Sequence, residues 1–122
     1  MTEVGVDRHH TIAAAYVALV NNPLSGRVAE IFAPDAELWT GGGKRYVGRA
    51  EIEGFFSASV ARSHVQARLG AVCSGGSEMM FLIEVETATG SEERAVDYAR
   101  VEPDGLVSRL VVFIRPVGSA NG

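Results

Sequence analysis

Two spacings of hydrophobic residues divide the chain into an N-terminal part with helical periodicity and a C-terminal part with strand periodicity. Up to about residue 61, apolar positions recur every three or four residues, as they do along one face of a helix. From residue 64 to residue 117, the sequence instead forms strand-like segments joined by Gly-, Ser- and Pro-containing turns. This order predicts an α+β domain in which helices cover one face of a sheet.

The first part contains three candidate helices. Asp7 is placed to cap a helix over residues 8–20, which the sequence Asn-Asn-Pro at 21–23 ends. A second, short helix is predicted over residues 24–32 and a third over residues 49–61. We therefore expect a helical layer made by the first half of the chain.

Strand signals begin between the second and third helices and continue to the end. Residues 36–40 and 45–47 flank the glycines at 41–43 and predict a hairpin. Four longer strands are predicted over residues 64–72, 79–87, 92–101 and 106–116. The turns between them are short, so we expect an antiparallel meander.

Length and composition predict a single domain. The chain has 122 residues, of which 47% are hydrophobic, enough for one core and an internal pocket. We assign residues 1–122 to this domain and expect residues 1–7 and 118–122 to be loose termini.

Charge and cysteine content exclude several classes of function. Eleven Lys and Arg residues against fifteen Asp and Glu give a net charge of -4 without a basic stripe, so we expect no nucleic-acid partner. Cys73 is the single cysteine, which excludes an internal disulfide and fits a reducing cytoplasm. No segment has the pattern of a secretion signal or a membrane span, so we expect a cytoplasmic protein without a membrane partner.

One acid stands out against this background. In the predicted strand at residues 94–101, alternation places Asp97 on the same face as Ala95, Ala99 and Val101. A carboxyl group on an apolar face either finds a partner or stays protonated, because desolvation raises its pKa. Asp97 is therefore the first candidate for a functional residue.

The order of these segments resembles the NTF2-like superfamily, also described as SnoaL-like, and within it the ketosteroid isomerases. The segments that carry the resemblance are AAYVALV at 14–20, FAPDAEL at 32–38, YVGRAEIEGFF at 46–56, EMMFLIEVE at 78–86 and AVDYARVEPDGLV at 95–107. The resemblance implies a cone in which three N-terminal helices pack on a strongly curved antiparallel sheet. It also implies a homodimer formed through the convex face of that sheet.

The resemblance further implies roles for individual residues. A tyrosine on the first helix and an acid on the penultimate strand form an oxyanion hole in the steroid isomerases, and these positions match Tyr16 and Asp97. The carboxylate base of that family falls at Thr40, which cannot serve as a base near neutral pH. Glu37 is the nearest substitute, although strand alternation places it on the opposite face from Thr40.

The walls of the cone are expected to bind a small apolar molecule, steroid-like or polyketide-like. The candidate binding residues are Leu38, Thr40, Phe56, Met79, Phe81, Ala99, Val112 and Ile114. Several of them could equally be plain core, because the lining of a cone and its core use the same residue types. We expect no cofactor and no metal, since His9 and His10 look like the solvated start of a helix.

Three functional hypotheses remain open from the sequence. The first is a steroid delta-isomerase-like protein that binds a flat, carbonyl- or phenol-bearing ligand through Tyr16 and Asp97. The second is another SnoaL-like enzyme, a polyketide cyclase or an epoxide hydrolase, with Asp97 as acid or base. The third is a non-catalytic module for ligand binding or dimerisation, in which Asp97 matters for stability alone.

Overall fold

The computed structural model describes the backbone of residues 2–90 and 92–116 and the side chains of residues 8–90 and 92–113. Its helices are α1 (Thr2–Asn21), α2 (Val28–Ile31), α3 (Arg49–Phe55) and α4 (Ala61–Ser63). A π-helical segment, Phe56–Val60, joins α3 to α4 without a break. These three segments form one continuous helix, which is called the third helix below. None of the described helices is long and apolar enough to cross a membrane.

The described strands form one six-stranded sheet in the order β2-β1-β6-β5-β4-β3. Their bounds are β1 (Phe32–Trp39), β2 (Arg45–Val47), β3 (Gln66–Gly75), β4 (Glu78–Glu86), β5 (Glu92–Val101) and β6 (Val107–Pro116). The pairings β3–β4, β4–β5 and β5–β6 are antiparallel, which confirms the predicted meander. One pairing was not predicted, namely the parallel pairing of β1 with β6.

The sheet is curved, and its irregular registers account for part of that curvature. The pairing shifts between Leu69 and Val72 on β3, and again between Arg100 and Val101 on β5. An extra residue in one strand bends that strand and increases its twist. The curved sheet with helices on its concave side is the predicted NTF2-like α+β cone.

Two predicted boundaries were wrong. Helix α1 begins at Thr2 and not near Arg8, so residues 2–7 are helical and Asp7 is not its cap; residues 118–122 lie outside the described part. Lengthening a formed helix requires no new nucleation, which favours this extension. The second helix is shorter than predicted, since the apolar run after Val28 passes directly into β1 at Phe32.

Hydrogen bonds at both ends fix α1 against the sheet. Asn21 donates to the carbonyl of Ala67 at 3.0 Å and accepts from its N–H at 2.7 Å, which satisfies both backbone groups of this residue on the edge strand β3. Near the other end, His9 is 3% exposed and its Nδ1 lies 2.8 Å from Ser74 Oγ, so the prediction of a solvated His9 was wrong. The contact places His9 against the end of β3.

The core lies between the helices and the concave side of the sheet. Phe32, Leu38, Ile52 and Leu110 are at most 1% exposed within it. Arg49, at the start of α3, donates to the carbonyl of Phe32 at 2.9 Å and so ties the third helix to β1. This contact holds the third helix against the concave face of the sheet.

Candidate functional site

A cavity of about 300 Å³ opens at one end of the cone. Its described lining comes from α1, the third helix and the concave faces of β4, β5 and β6, and most of it is apolar. The lining residues are Tyr16, Val20, Thr40, Gly41, Phe55, Phe56, Val60, Ser63, Val65, Ile83, Val85, Thr87, Glu93, Ala95, Asp97 and Val112. An apolar cavity with a few polar groups is the usual form of a small-molecule site.

Asp97 lies on the wall of this cavity in the middle of β5. It pairs with Phe81 on one side and Val112 on the other, and it is 1% exposed. Its Oδ1 has no hydrogen-bond partner among the described residues. Desolvation raises the pKa of this carboxyl to about 8, because no positive group compensates for the loss of water. With this pKa, the Asp97 carboxyl is mostly protonated at pH 7.

Tyr16 reaches the same cavity from α1. Its ring makes edge contacts with Phe32, Phe56 and Phe81, at centroid distances of 6.4, 6.2 and 5.8 Å. Burial raises the pKa of Tyr16 well above its ordinary value, and the nearby Asp97 charge adds to this effect. The aromatic contacts hold the ring in place, so the hydroxyl is a fixed, protonated group.

Tyr16 and Asp97 place two potential hydrogen-bond donors on the walls of one cavity. Both are neutral near pH 7, both line the cavity, and each carries an O–H that can donate. Donors held in an apolar site act on a developing oxyanion without the reorganisation that water requires, and each is worth about 3 to 4 kcal/mol when well placed. An oxygen acceptor on a ligand would also supply the partner that Asp97 Oδ1 lacks.

Thr40 lines the cavity just beyond the end of β1, and its side chain closes a turn. The hydroxyl accepts from the N–H of Lys44 at 3.2 Å and lies 3.4 Å from the Lys44 carbonyl oxygen, to which it can donate. The backbone N–H of Thr40 donates to the same carbonyl at 2.9 Å. The position can contact a ligand, but its hydroxyl is used by the turn.

Glu37 lies on the other side of the sheet from the cavity. Its carboxylate accepts from Arg45 at 2.9 Å and from Trp39 at 3.2 Å, and Arg109 lies 3.6 Å away. The hydrogen bond from Arg45, the largest of several causes, lowers the pKa of Glu37. Glu37 is thus held outside the cone, as strand alternation predicted, and its carboxylate does not reach the cavity.

The predicted binding residues separate into two groups. Thr40, Phe56 and Val112 line the cavity. Leu38, Met79, Phe81 and Ala99 face the same side of the sheet but lie in the core beyond the described lining, at most 2% exposed. For Ile114 the described part covers the backbone alone, which pairs with Ala95.

Glu93 is a lining residue that the sequence analysis missed. It lies four positions before Asp97 on the same face of β5, and its side chain is half-buried. The alternation along β5 that identified Asp97 also places Glu93 on this face, two residues before Ala95. The third helix also contributes two lining residues, Val60 at the end of its π-helical segment and Ser63 at the end of α4.

Comparison with known families settles which family this fold and cavity represent. The model of the SnoaL-like domain matches residues 13–110. The chain belongs to the SnoaL-like family. No curated protein sequence matches this SnoaL-like chain. Among its described residues, no group of three or more His, Cys, Asp or Glu side chains is arranged to hold a metal ion.

Solved structures with this SnoaL-like fold have diverse descriptions. A protein from Kribbella flavida assigned as a ketosteroid isomerase is 20% identical over 89% of this chain and 78% of its own, with a TM-score of 0.77. SalBIII, an epoxide hydrolase/cyclase-like enzyme with a role in pyran ring formation in salinomycin, is 22% identical over 89% and 92%, with a TM-score of 0.74.

A third neighbour was solved with a ligand. RV0760c from Mycobacterium tuberculosis, in complex with estradiol-17beta-hemisuccinate, is 17% identical over 87% of this chain and 92% of its own, with a TM-score of 0.73. At these identities the likeness establishes the fold alone.

Proposed function

We propose that this protein binds a flat, apolar molecule bearing a carbonyl or phenol oxygen, and that Tyr16 and Asp97 hold that oxygen as an oxyanion hole. The observation that carries the proposal is the Asp97 carboxyl, which is 1% exposed in an apolar cavity and has an Oδ1 without a partner among the described residues. Burying such a group costs free energy unless a ligand or a reaction uses it. The steroid bound by one neighbour belongs to the same chemical class.

The same arrangement resembles the ketosteroid isomerases, in which an oxyanion hole of this kind stabilises a dienolate. The proton-shuttling carboxylate of that reaction is replaced here by Thr40, whose hydroxyl is hydrogen-bonded within its turn. General-base catalysis contributes roughly 10²- to 10⁴-fold to such reactions. The proposed function is therefore steroid-isomerase-like binding, with isomerase turnover reduced by about that factor.

Binding of a phenolic steroid tests the oxyanion hole. Equilenin should bind the protein, and Tyr16→Phe and Asp97→Ala should each weaken binding roughly 10- to 100-fold through loss of a buried hydrogen bond. Tyr98→Phe is the matched control, because Tyr98 lies on the same strand but points away from the cavity and donates to Glu78 at 2.7 Å. Equal affinities in all four proteins, or no binding at all, would contradict the proposal.

A gain-of-function variant tests the missing base. Thr40→Asp should raise the isomerisation of a 5-ene-3-ketosteroid by roughly 10²- to 10⁴-fold, since it places a carboxylate at the rim of the cavity. Thr40→Asn has nearly the same shape without the charge and should leave the rate unchanged. A rate in Thr40→Asp no higher than in Thr40→Asn would show that the cavity does not position such a substrate.

A second candidate is an epoxide-opening or ring-closing enzyme of the polyketide cyclase type. The observation that favours it is the raised Asp97 pKa of about 8, which makes Asp97 a proton donor at neutral pH. Asp97→Asn separates the two candidates, because the amide still donates a hydrogen bond but has no acidic proton. Hydrolysis of an aryl-substituted epoxide that disappears in Asp97→Asn, while equilenin binding persists, would favour this candidate over the first.

We also propose that the protein is a homodimer formed through the convex face of the sheet. Leu82, Val96 and Phe113 pair across three neighbouring strands there, and Val96 and Phe113 are 38% and 57% exposed. Exposed apolar residues in one row are typical of an interface, and a second copy would cover them with the same row. Sedimentation equilibrium should give a dimer for the wild type and a monomer for Val96→Lys; a wild-type monomer would contradict the proposal.

A further inference from the structure

The mouth of the cavity differs in chemistry from its deep part. Asp97 and Tyr16 lie deep, against Phe81 and Phe56. Glu93 lies on the same strand face, four residues towards the opening, which separates the two Cα atoms by about 13 Å. The cavity thus has a neutral hydrogen-bonding pole at its base and an acidic side chain near its mouth, with apolar walls between them.

Among the residues whose side chains are described, none forms an ion pair that would neutralise the Glu93 carboxylate. Within the described part of the chain, none of the ion pairs or side-chain hydrogen bonds includes Glu93. The described lining also contains no Lys, Arg or His. Its neighbour Arg94 lies on the other face of β5, where it is 3.9 Å from Glu84. A half-buried carboxylate that forms no ion pair with the described residues attracts donors and repels anions.

We propose that Glu93 determines ligand specificity by accepting a hydrogen bond from a hydroxyl or amine group at the outer end of the ligand. This inference rests on the proposed function, because it takes the deep end of the ligand to be the oxygen held by Tyr16 and Asp97. The ligand class is then an elongated apolar molecule with an acceptor at one end and a donor at the other. Ligands with a carboxylate at the outer end are selected against.

Two probes with the same skeleton isolate the effect of the outer group. Estradiol carries a phenol for the deep pole and a hydroxyl at the far end, whereas its 17-hemisuccinate ester ends in a carboxylate. We expect the wild type to bind estradiol more tightly than the ester at pH 7 and low salt. The expected ratio of the two dissociation constants is about tenfold, equivalent to about 1.4 kcal/mol.

The variant Glu93→Gln removes the charge and keeps the shape of the side chain. It should bring the ratio of the two dissociation constants close to one, mainly by strengthening binding of the ester. Glu92→Gln is the matched control, since it makes the same charge change one residue away on an exposed side chain. The control should keep the wild-type ratio. High salt should also reduce the wild-type ratio, because it screens the repulsion.

The outcomes separate this inference from the proposed function. A ratio that is the same in Glu93→Gln as in the wild type overturns the role of Glu93 and leaves the oxyanion hole intact. If Tyr16→Phe leaves ligand binding unaffected, the oxyanion hole of the proposed function is overturned. If the ratio of dissociation constants nevertheless falls in Glu93→Gln, Glu93 is still supported as the selective group. A fall in the ratio that Glu92→Gln reproduces would assign the effect to net charge and overturn the inference.

Discussion

The two faces of the sheet shift the pKa of a carboxyl group in opposite directions. On the concave face, Asp97 is enclosed by apolar side chains and its pKa rises to about 8. On the convex face, Glu37 accepts hydrogen bonds from Arg45 and Trp39, and its pKa falls. The contrast shows that the fold makes one carboxyl a donor and the other a fixed anion through their surroundings alone.

The largest expected effect of this contrast is on the pH dependence of stability. The pKa of Asp97 is about 8 in the folded protein against an ordinary value of 3.8, so the folded state holds an extra proton between these values. The unfolding free energy should therefore fall as pH rises through this window, by up to about 1.4 kcal/mol per pH unit from this group. In Asp97→Asn this contribution should vanish.

Urea unfolding at pH 5, 6.5 and 8 measures that difference. The unfolding free energy of Asp97→Asn minus that of the wild type should rise by several kcal/mol from pH 5 to pH 8. Glu37→Gln is the control on the other face and should not reproduce this rise. Parallel pH profiles for Asp97→Asn and the wild type would contradict the neutral state of Asp97.

The two methionines of β4 compare the two faces of the sheet through packing alone, because neither side chain is charged. Met79 on the concave face is 2% exposed, and Met80 on the convex face is 47% exposed. Met79→Ala should lower the unfolding free energy by about 2 to 4 kcal/mol, since it leaves a cavity in the core. Met80→Ala should cost below about 1 kcal/mol in the monomer. Equal losses in monomeric protein would mean that the concave face is not the core.

Ligand affinity should report the protonation of Asp97 directly. The affinity of equilenin is expected to fall about tenfold as pH rises from 6 to 9, because ionised Asp97 accepts but no longer donates. In Asp97→Asn the affinity should be nearly constant over that range, apart from any ionisation of the ligand itself. A wild-type affinity that rises with pH would indicate that Asp97 works as a base.

The smallest expected effect belongs to Glu37. Because its pKa is lowered in the folded state, its contribution to stability is present at neutral pH and is lost as pH falls through the range in which the carboxylate is protonated. Glu37→Gln should therefore be slightly less stable than the wild type at pH 7 and equal to it at low pH. The difference should also shrink in 1 M salt, and a difference that persists there would point to packing.

The sequence was sufficient for the order of elements and for the identity of the deep acid. Glycine and proline marked the turns, and alternation placed Asp97 on the concave face and Glu37 on the convex one. The parallel pairing of β1 with β6 was not predictable, because alternation carries no information about which distant strand is the neighbour. The resemblance to the steroid isomerases identified the Tyr16 position, which helical spacing alone would have assigned to the core.

The walls of the cavity were harder to predict for a related reason. Alternation tells which face a residue occupies, but the cavity occupies one end of that face, and depth along a strand has no sequence signal. Met79 and Phe81 on β4 lie in the core, whereas Ile83 and Val85, further along the same strand face, line the opening. Glu93 was not predicted for the same reason, since alternation gives its face on β5 but not its position at the opening.

The π-helical segment Phe56–Val60 gives the opening of the cavity a way to change during evolution. Each residue inserted into or deleted from a helix rotates everything beyond it by about 100°. Ser57, Ala58 and Ser59 are exposed, so the loss of one of them would remove no buried contact. It would convert the wide turn to an ordinary helical one, which takes up the deletion locally and spares Val60 and Ser63 that rotation. Chain length in this segment can thus change the width of the helix at the opening, while the sheet and its acid stay unchanged.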